Sequence, residues 1–433
     1  MARFEAGRRG ESVRSDCWVG FTPADAGGVK VEVRSKVESM YGESIRRDAA
    51  AALERLGVRH GRLEIEDYGA LPFVLLARIE GALRRAGVTG RLLPAVAPGA
   101  RREGARERFR RSRLYLPGVE PKFMLNAGLH RPDGIILDLE DSVAPPEKDT
   151  ARLLVRNALR VLDFGNSERM VRINQLPLGL ADLEEIVPQN LHLALIPKCE
   201  SAEQVRAVAA KIEEVQAKAK FGGSSENPAA GGGAVPERAC GREYSCGFHP
   251  EKAGGPRPVW LMPILESALG ILRAYEIATA HPTVVALTIG LEDYTADLGT
   301  QRTLEGKESF FARSMVVNAA KAAGVQAIDT VFSDVADMDG LLGSVREAKS
   351  LGFEGKGCIH PRQIEVVHRG FAPEPAELEK ARRIVEAFRA AEARGEAVVS
   401  LGSKMIDPPV VKRALRVVEL AGSLEAGRGE AGR

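Results

Sequence analysis

The sequence predicts an α/β protein, a (β/α)8 TIM barrel preceded by a small α+β domain. Three observations predict it. From Ser112 onward, eight short apolar runs of strand character alternate with amphipathic helical segments. The runs end in polar or charged residues, as the strands of a parallel barrel do at the C-terminal mouth where active sites lie. The first part of the chain instead carries strands and helices of its own, set off by a Pro-, Gly- and Arg-rich stretch.

With 433 residues the chain exceeds one ordinary domain. Composition shifts divide it into a first domain over 1–88, a flexible linker over 89–110, a barrel over 111–400 and a C-terminal segment and tail over 401–433. Lys and Arg (61) nearly cancel Asp and Glu (59), leaving a net charge of +2. No global field therefore favours nucleic acid or an anionic membrane. No apolar run reaches the ~18 residues of a membrane span, and the polar start MARFEAGRRGESVRSD lacks a signal-peptide pattern. A cytoplasmic location is expected. Five scattered cysteines, an odd count in a long chain, argue against a disulfide framework.

In the first domain, DCWVGFTP and GVKVEVRSKV alternate with period 2 and read as strands. ESIRRDAAAALERLGV reads as a helix ended by Gly57, RLEIEDYG as a strand, and FVLLARIEGALRRAG as a second helix ended by Gly87. Glu64, Glu66 and Asp67 fall on the alternating strand and read as a solvated face. The following GRLLPAVAPGARREGARERFRR is too poor in apolar residues to hold one conformation and reads as a tether.

The barrel strands are SRLYLPG, GIILDLED, RMVRIN, HLALIPK, VWLMPILES, VVALTIGLED, QAIDTVF and GKGCIHP. The fifth and sixth, joined by the helical ESALGILRAYEIATAH, end in Glu266 and in Glu292-Asp293. A right-handed crossover makes such strands parallel neighbours, which sets the acids about 4.8 Å apart at equivalent ends. Any one of these acids alone reads as a helix cap; two in register suit Mg²⁺, which takes one or two protein carboxylates and completes its octahedron with water and substrate oxygens. Arg172 and Asn174 end the third strand, and Asp138, Glu140 and Asp141 the second. Residues 221–258 are rich in Gly, Pro and Ser and read as a flexible insertion. Cys240, Cys246 and His249 in it lack a fourth zinc ligand. Asp407 precedes Pro408-Pro409 and reads, by itself, as a helix N-cap.

Two resemblances add to this reading. SKVESMYGESIRRDAAAALERLGVRHGRLEIEDYGALPFVLLARIEGALRRAG resembles the acyl carrier (gamma) subunit of citrate lyase. That likeness implies a covalent phosphoribosyl-dephospho-CoA on a serine, either Ser15, beside the matching Asp16, or Ser12, whose Glu-Ser spelling matches. SRLYLPG, ILDLEDSVAPPEKDTAR, VRIN, IPK, ILESALGI, IGLEDY, GVQAIDT and SKMIDPPVVKRA resemble the citrate lyase beta subunit and the related citramalyl- and malyl-CoA lyases. The likeness implies a fusion of the two subunits that cleaves a citryl thioester to oxaloacetate and acetyl thioester, with a separate alpha (transferase) subunit as partner and the barrel as a homo-oligomer. It further implies Glu266 and Asp293 as Mg²⁺ ligands and Glu266, Arg172 and Asn174 as substrate contacts. Arg172 would hold a substrate carboxylate, Glu140 and Asp141 would orient it, and Asp407, on a C-terminal lid, would serve a neighbouring subunit's site. A free-CoA citramalyl or malyl lyase and a noncatalytic carrier scaffold are the alternatives; the first domain argues against one and the intact Glu266, Asp293 and Arg172 against the other.

Overall fold

The alternating runs at the start of the chain pair into one four-stranded sheet. A computed structural model, which describes residues 2–93, 96, 104–221, 258–393, 399–401 and 404–429, places β1 (Phe4–Gly7), β2 (Cys17–Pro23), β3 (Val29–Ser35) and β4 (Gly61–Asp67) in spatial order β1-β2-β4-β3. β2 is antiparallel to β1 and β4, and β3 is parallel to β4. In β4, Leu63 and Ile65 are buried while Arg62 is exposed and Glu64 and Glu66 half-buried, the alternation expected of a one-sided sheet. Its inner face packs on α1 (Glu38–Arg55) and α2 (Pro72–Arg85) through Phe21, Ile45, Leu53, Ile79 and Leu83. The sequence reading did not include β1, whose four residues carry a single fully buried side chain.

All eight barrel strands form where the apolar runs place them: β5 (Ser112–Pro117), β6 (Gly134–Asp138), β7 (Glu168–Arg172), β8 (Leu193–Ile196), β9 (Trp260–Leu265), β10 (Ala286–Ile289), β11 (Gln326–Val331) and β12 (Gly355–Cys358). They close in order, every pair parallel. Ile136, Met170, Leu195, Met262 and Ile264 fill the lumen. Outward residues such as Leu114, Leu137 and Val171 pack under the helices, which are α3 (Pro121–Met124), α4 (Lys148–Val161), α5 (Leu178–Ile186), α6 (Ala202–Phe221), α7 (Ala268–Leu272), α8 (Ala274–Ala278), α9 (Leu291–Asp297), α10 (Phe310–Ala322), α11 (Met338–Leu351) and α12 (Arg362–Phe371). The segment expected to be one helix after β9 is two short ones, the first capped by the Ser267 hydroxyl, which accepts from the Gly270 amide at 3.1 Å.

The first domain is docked on the barrel. Phe73, Val74 and Ala77 of α2 share one core with Leu154 and Ala158 of α4. Gly81 permits the close approach, since a Cβ there would lie 2.8 Å from Thr150 Cγ2. Across this contact Arg156 pairs with both oxygens of Glu80 (2.8 and 2.7 Å) and with Glu185 (3.0 Å). Arg84 also donates to Glu185 at 2.9 Å.

The stretch read as a flexible linker is packed at its described ends. Leu92 is buried and its amide donates to Glu80 at 3.2 Å. Gly104 O accepts from Trp260 Nε1 at 2.6 Å, and fully buried Arg110 chelates Glu168 at 2.7 and 2.9 Å. Composition marks the linker arginines as solvated, but Arg106 donates to Pro282 O at 3.0 Å and Arg108 to Asn166 O at 2.7 Å, partners that composition does not reveal. Residues 94–95, 97–103 and 222–257, with Cys240, Cys246 and His249, lie outside the described residues.

At the C-terminus β13 (Val399–Leu401) and β14 (Lys404–Ile406) form a hairpin between α13 (Pro375–Ala393) and α14 (Pro408–Gly429). Ile384 and Val385 pack on Val411 and Ala414. α14 lies across the N-terminal mouth of the barrel, where Arg416 bonds Glu354 at 3.0 Å and stands 4.6 Å from the Phe109 ring. No described helix is long and apolar enough to cross a membrane.

Arg156→Ala removes the hydrogen bonds to both oxygens of buried Glu80 and the one to Glu185, leaving Glu80 with Arg84 and the Leu92 amide. Breaking a buried pair with part of its support kept costs about 3 kcal/mol. Urea unfolding of the full chain measures it, and a change under about 1 kcal/mol would show that the two units are not coupled through this pair.

Candidate active site

Register brings the first two site groups together. β6 and β7 pair with Asp138 opposite Arg172, so the carboxylate at one strand end meets the guanidinium at the next. Arg172 donates to Asp138 through Nε at 2.6 Å and Nη2 at 2.7 Å. Its Nη1 lies 3.1 Å from Glu140 and 3.2 Å from Asp141. Asp138 also accepts the amides of Glu140 (3.0 Å) and Ser142 (3.2 Å), which folds the Leu139–Ser142 turn around it. Burial disfavours the Arg172 charge, but the bond to Asp138 and its charge outweigh that and raise the pKa above the ordinary value.

Lys198, just after β8, adopts φ 45°, and this left-handed backbone aims its amide at Glu266 Oε1, 2.7 Å away. Its ammonium reaches Glu140 (3.0 Å), Asp141 (3.4 Å) and Asp293 (3.6 Å). Burial works against that charge too, yet Glu140 above all keeps the pKa raised.

Glu266 follows β9 and is 6% exposed. Burial pushes its carboxyl up to about 8; the Lys198 amide opposes this and the Asp293 charge adds to it. β10 pairs with β9 so that Ile289 faces Leu265, which puts Gly290, not an acid, beside Glu266. A Cβ at residue 290 would lie 2.5 Å from Glu266 Oε2, so glycine leaves that oxygen its space. The two acids expected in register therefore differ in origin: Glu266 comes from the strand end and Asp293 from the first turn of α9. Glu292 turns to Arg302 and to Ser333, at 2.5 and 3.0 Å.

These groups share a cavity of about 480 Å³ that Tyr115, Asp138, Asp141, Arg172, Glu266 and Asp293 help to line. A larger cavity of about 1020 Å³ opens at the opposite mouth, under α14. There Arg111 pairs with Asp133, and Lys321 and Arg416 with Glu354, so it lacks the converging carboxylates of a catalytic site.

The remaining expected residues lie elsewhere. Asn174 is buried; its Oδ1 accepts from Lys148 and its Nδ2 donates to Asp182 at 2.8 Å. Lys148 donates in turn to the carbonyls of Leu139 (3.0 Å) and Glu140 (2.9 Å), so Asn174 braces the turn that holds Asp138. Asp407 is exposed at the start of α14, its carbonyl accepting the Val410 amide at 2.9 Å, on the barrel face away from Glu266. Ser12 is exposed in the Gly10–Val13 turn, while Ser15 is half-buried with φ 56°. Gly290 was missed by the sequence reading, and Asp138 was read as an acid ending the second strand but given no role. The position of Asp138 at a strand end, level with Arg172, was the available signal.

Whether these residues suit a cation is answered by the donor set. Of the carboxylates that line this cavity, Glu266 and Asp293 are electrostatic neighbours, and Glu266 is a buried acid whose charge is disfavoured until a cation neutralises it. Among the described residues no group of three or more His, Cys, Asp or Glu is gathered as a metal cage. That is too few ligands for a structural zinc site but the number Mg²⁺ uses.

A closed parallel barrel with a charged cluster at the C-terminal ends of its strands defines a TIM-barrel protein with its site in the usual place. The chain belongs to the HpcH/HpaI aldolase/citrate lyase family, whose model matches residues 111–361. A second match, to the acyl-carrier-type malonate decarboxylase delta subunit (MdcD), covers residues 8–86. Citrate lyase subunit beta of Haemophilus influenzae is 40% identical over 73% of this chain and 98% of its own length. Mouse mitochondrial citramalyl-CoA lyase is 31% identical over 73% of this chain and 87% of its own. Protein CitE from Mycobacterium tuberculosis, solved in complex with magnesium, acetoacetate and coenzyme A, superposes with a TM-score of 0.53 at 28% identity, covering 73% of this chain and all of that one.

The Glu266 shift has a measurable consequence. Between its ordinary value of 4.5 and about 8 the folded chain holds a proton that the unfolded chain has lost. Stability therefore falls as pH rises through that window. Melting temperatures of the metal-free chain decline across it, and Glu266→Gln flattens the decline; an unchanged slope in the variant would place the titrating group elsewhere.

Proposed function

We propose that this chain is a Mg²⁺-dependent carbon–carbon lyase that cleaves a citryl thioester, carried on its own N-terminal domain, to oxaloacetate and acetyl thioester. The observation that carries the reading is the cavity where Arg172, fixed by Asp138, faces the carboxylates of Glu266 and Asp293. The family and the citrate lyase beta relatives support the lyase class, and the acyl-carrier match at residues 8–86 supports a carrier-bound substrate.

In the retro-Claisen step the substrate's 3-hydroxyl gives up its proton and its oxygen becomes the carbonyl of oxaloacetate. The electron pair of the broken bond becomes the enolate of the acetyl thioester, which then takes up a proton at carbon. Glu266 and Asp293 would hold the Mg²⁺, which would supply Lewis-acid stabilisation of the charge developing on the substrate oxygen. Arg172 binds a substrate carboxylate, its planar fork already aligned by Asp138. Glu140 and Asp141 position Arg172 and Lys198, and Asn174 contributes through the turn it braces. Lys198 is no imine-forming nucleophile, since such a lysine needs a lowered pKa and this one is raised.

Asp407, remote from its own cavity, serves a neighbouring barrel by protonating the acetyl carbon, which makes the chain a homo-oligomer. Ser15, or Ser12, carries the phosphoribosyl-dephospho-CoA arm, and an alpha subunit exchanges acetyl for citryl on it. The domain limits 1–88, 89–110, 111–400 and 401–433 belong to this reading. A free-CoA citramalyl lyase is the second reading, favoured by the match to the mouse enzyme.

Oxaloacetate release from citryl-CoA, with Mg²⁺ and then with EDTA, separates the two. The proposal expects Mg²⁺-dependent release; release of pyruvate from citramalyl-CoA with none from citryl-CoA would reverse the order of the readings. Arg172→Lys is expected to lower kcat/KM by about 100-fold, the worth of a bidentate charged contact. A loss under about threefold would remove Arg172 from substrate binding.

A further inference from the structure

The N-terminal loop that carries Ser12 and Ser15 sits at the same barrel mouth as the cavity. Arg8 forms an ion pair with Glu120. Gly10 N donates to the Tyr68 hydroxyl at 3.3 Å, Lys36 donates to Glu11 O at 3.4 Å, and Ser15 N donates to Tyr68 O at 3.1 Å. Asp16, next to Ser15, is buried and chelated by Arg78 at 3.0 and 2.9 Å. Arg78 Nη2 also donates to Val119 O at 3.3 Å. Val119 and Glu120 form the turn after β5, and Leu116 and Pro117 at the end of β5 line the cavity. From serine loop to cavity wall the path is thus one ion pair and one short turn.

The docking that holds the loop there is not of a kind that releases easily. Arg156 and Glu80 meet across it fully buried, and Arg84 reaches across it to Glu185. Separating the units would break the Arg156–Glu80 and Arg84–Glu185 pairs, leaving Glu80 to Arg84 and Arg156 to Glu185, in an interface that has also lost its apolar cover at Phe73, Val74 and Ala77. A carrier that swings as a body needs a weak, polar contact; this one shares a hydrophobic core with its barrel.

We propose that the N-terminal domain is a fixed wall of the active-site mouth and that only its thioester arm moves, delivering substrate to the barrel of the same chain. This rests on the lyase and carrier reading above and adds which barrel the arm serves.

The test uses the full chain with Cys240→Ser and Cys246→Ser, which leaves the buried Cys17, Cys199 and Cys358, and a nitroxide on Ser12→Cys in the exposed turn. Mn²⁺ takes the place of Mg²⁺. Labelled chains are mixed with an excess of unlabelled Glu266→Gln chains, so that only the labelled chain's own site holds metal. The proposal expects loss of most of the nitroxide signal on adding Mn²⁺, and no loss when Glu266→Gln is in the labelled chain and the excess chains are wild type. Loss only in the second mixture would show delivery to a neighbour and overturn the proposal, as would no loss in either. Failure of the wild-type chain to bind Mn²⁺ at all, read by the free-ion signal, would overturn the metal reading and this proposal with it.

Discussion

Repulsion among carboxylates crowded at one mouth of the barrel is the constraint to which the rest of the site responds. Asp138, Glu140, Asp141, Glu266 and Asp293 converge there, and the protein answers them with two cations, Arg172 and Lys198. Arg172 is taken up mainly by Asp138 and Lys198 mainly by Glu140. Glu266 receives only a backbone amide from this set, and burial leaves it the acid whose charge is least well compensated. Under the proposed lyase reading, a divalent cation shared with Asp293 would supply the missing compensation. Site geometry and electrostatic need thus point to the same ligand.

A second set of buried charges does a different task. Arg156, Glu80, Glu185 and Arg84 lie where α2 meets α4 and α5, and Arg78 with Asp16 lies where the N-terminal loop meets the turn after β5. Buried pairs of this kind add little net stability over apolar packing, yet they penalise any arrangement that separates them. The pairs that cross the contact, Arg156–Glu80 and Arg84–Glu185, specify one seat for the N-terminal domain.

The barrel was legible because eight apolar runs, each of strand length and each followed by a helical period, leave few other topologies. Glu266 and Arg172 were legible because a charged residue directly after a buried strand has only the mouth to occupy. Asp293 was legible as an acid near that mouth, but its place on α9 rather than at the strand end depends on Gly290, whose role appears only when the space beside Glu266 is seen. The docking of the first domain was not legible. Glu80, Arg84 and Arg156 look like the solvated faces of amphipathic helices, and their partners lie 76 and 101 residues away in sequence. Asn174 was read as a group at the mouth, whereas hydrogen bonds to Lys148 and Asp182 turn it into a brace. Periodicity says which residues are buried, and long-range polar pairing decides what the buried polar ones do.

The central claim is that Glu266, protonated at neutral pH in the empty site, becomes a metal ligand. Calorimetric titration of Mg²⁺ into the chain at pH 7, in buffers of different ionisation enthalpy, reads the protons released on binding. The account predicts release of about one proton per bound ion, lost in Glu266→Gln. Binding without proton release, or release unchanged in that variant, would contradict it.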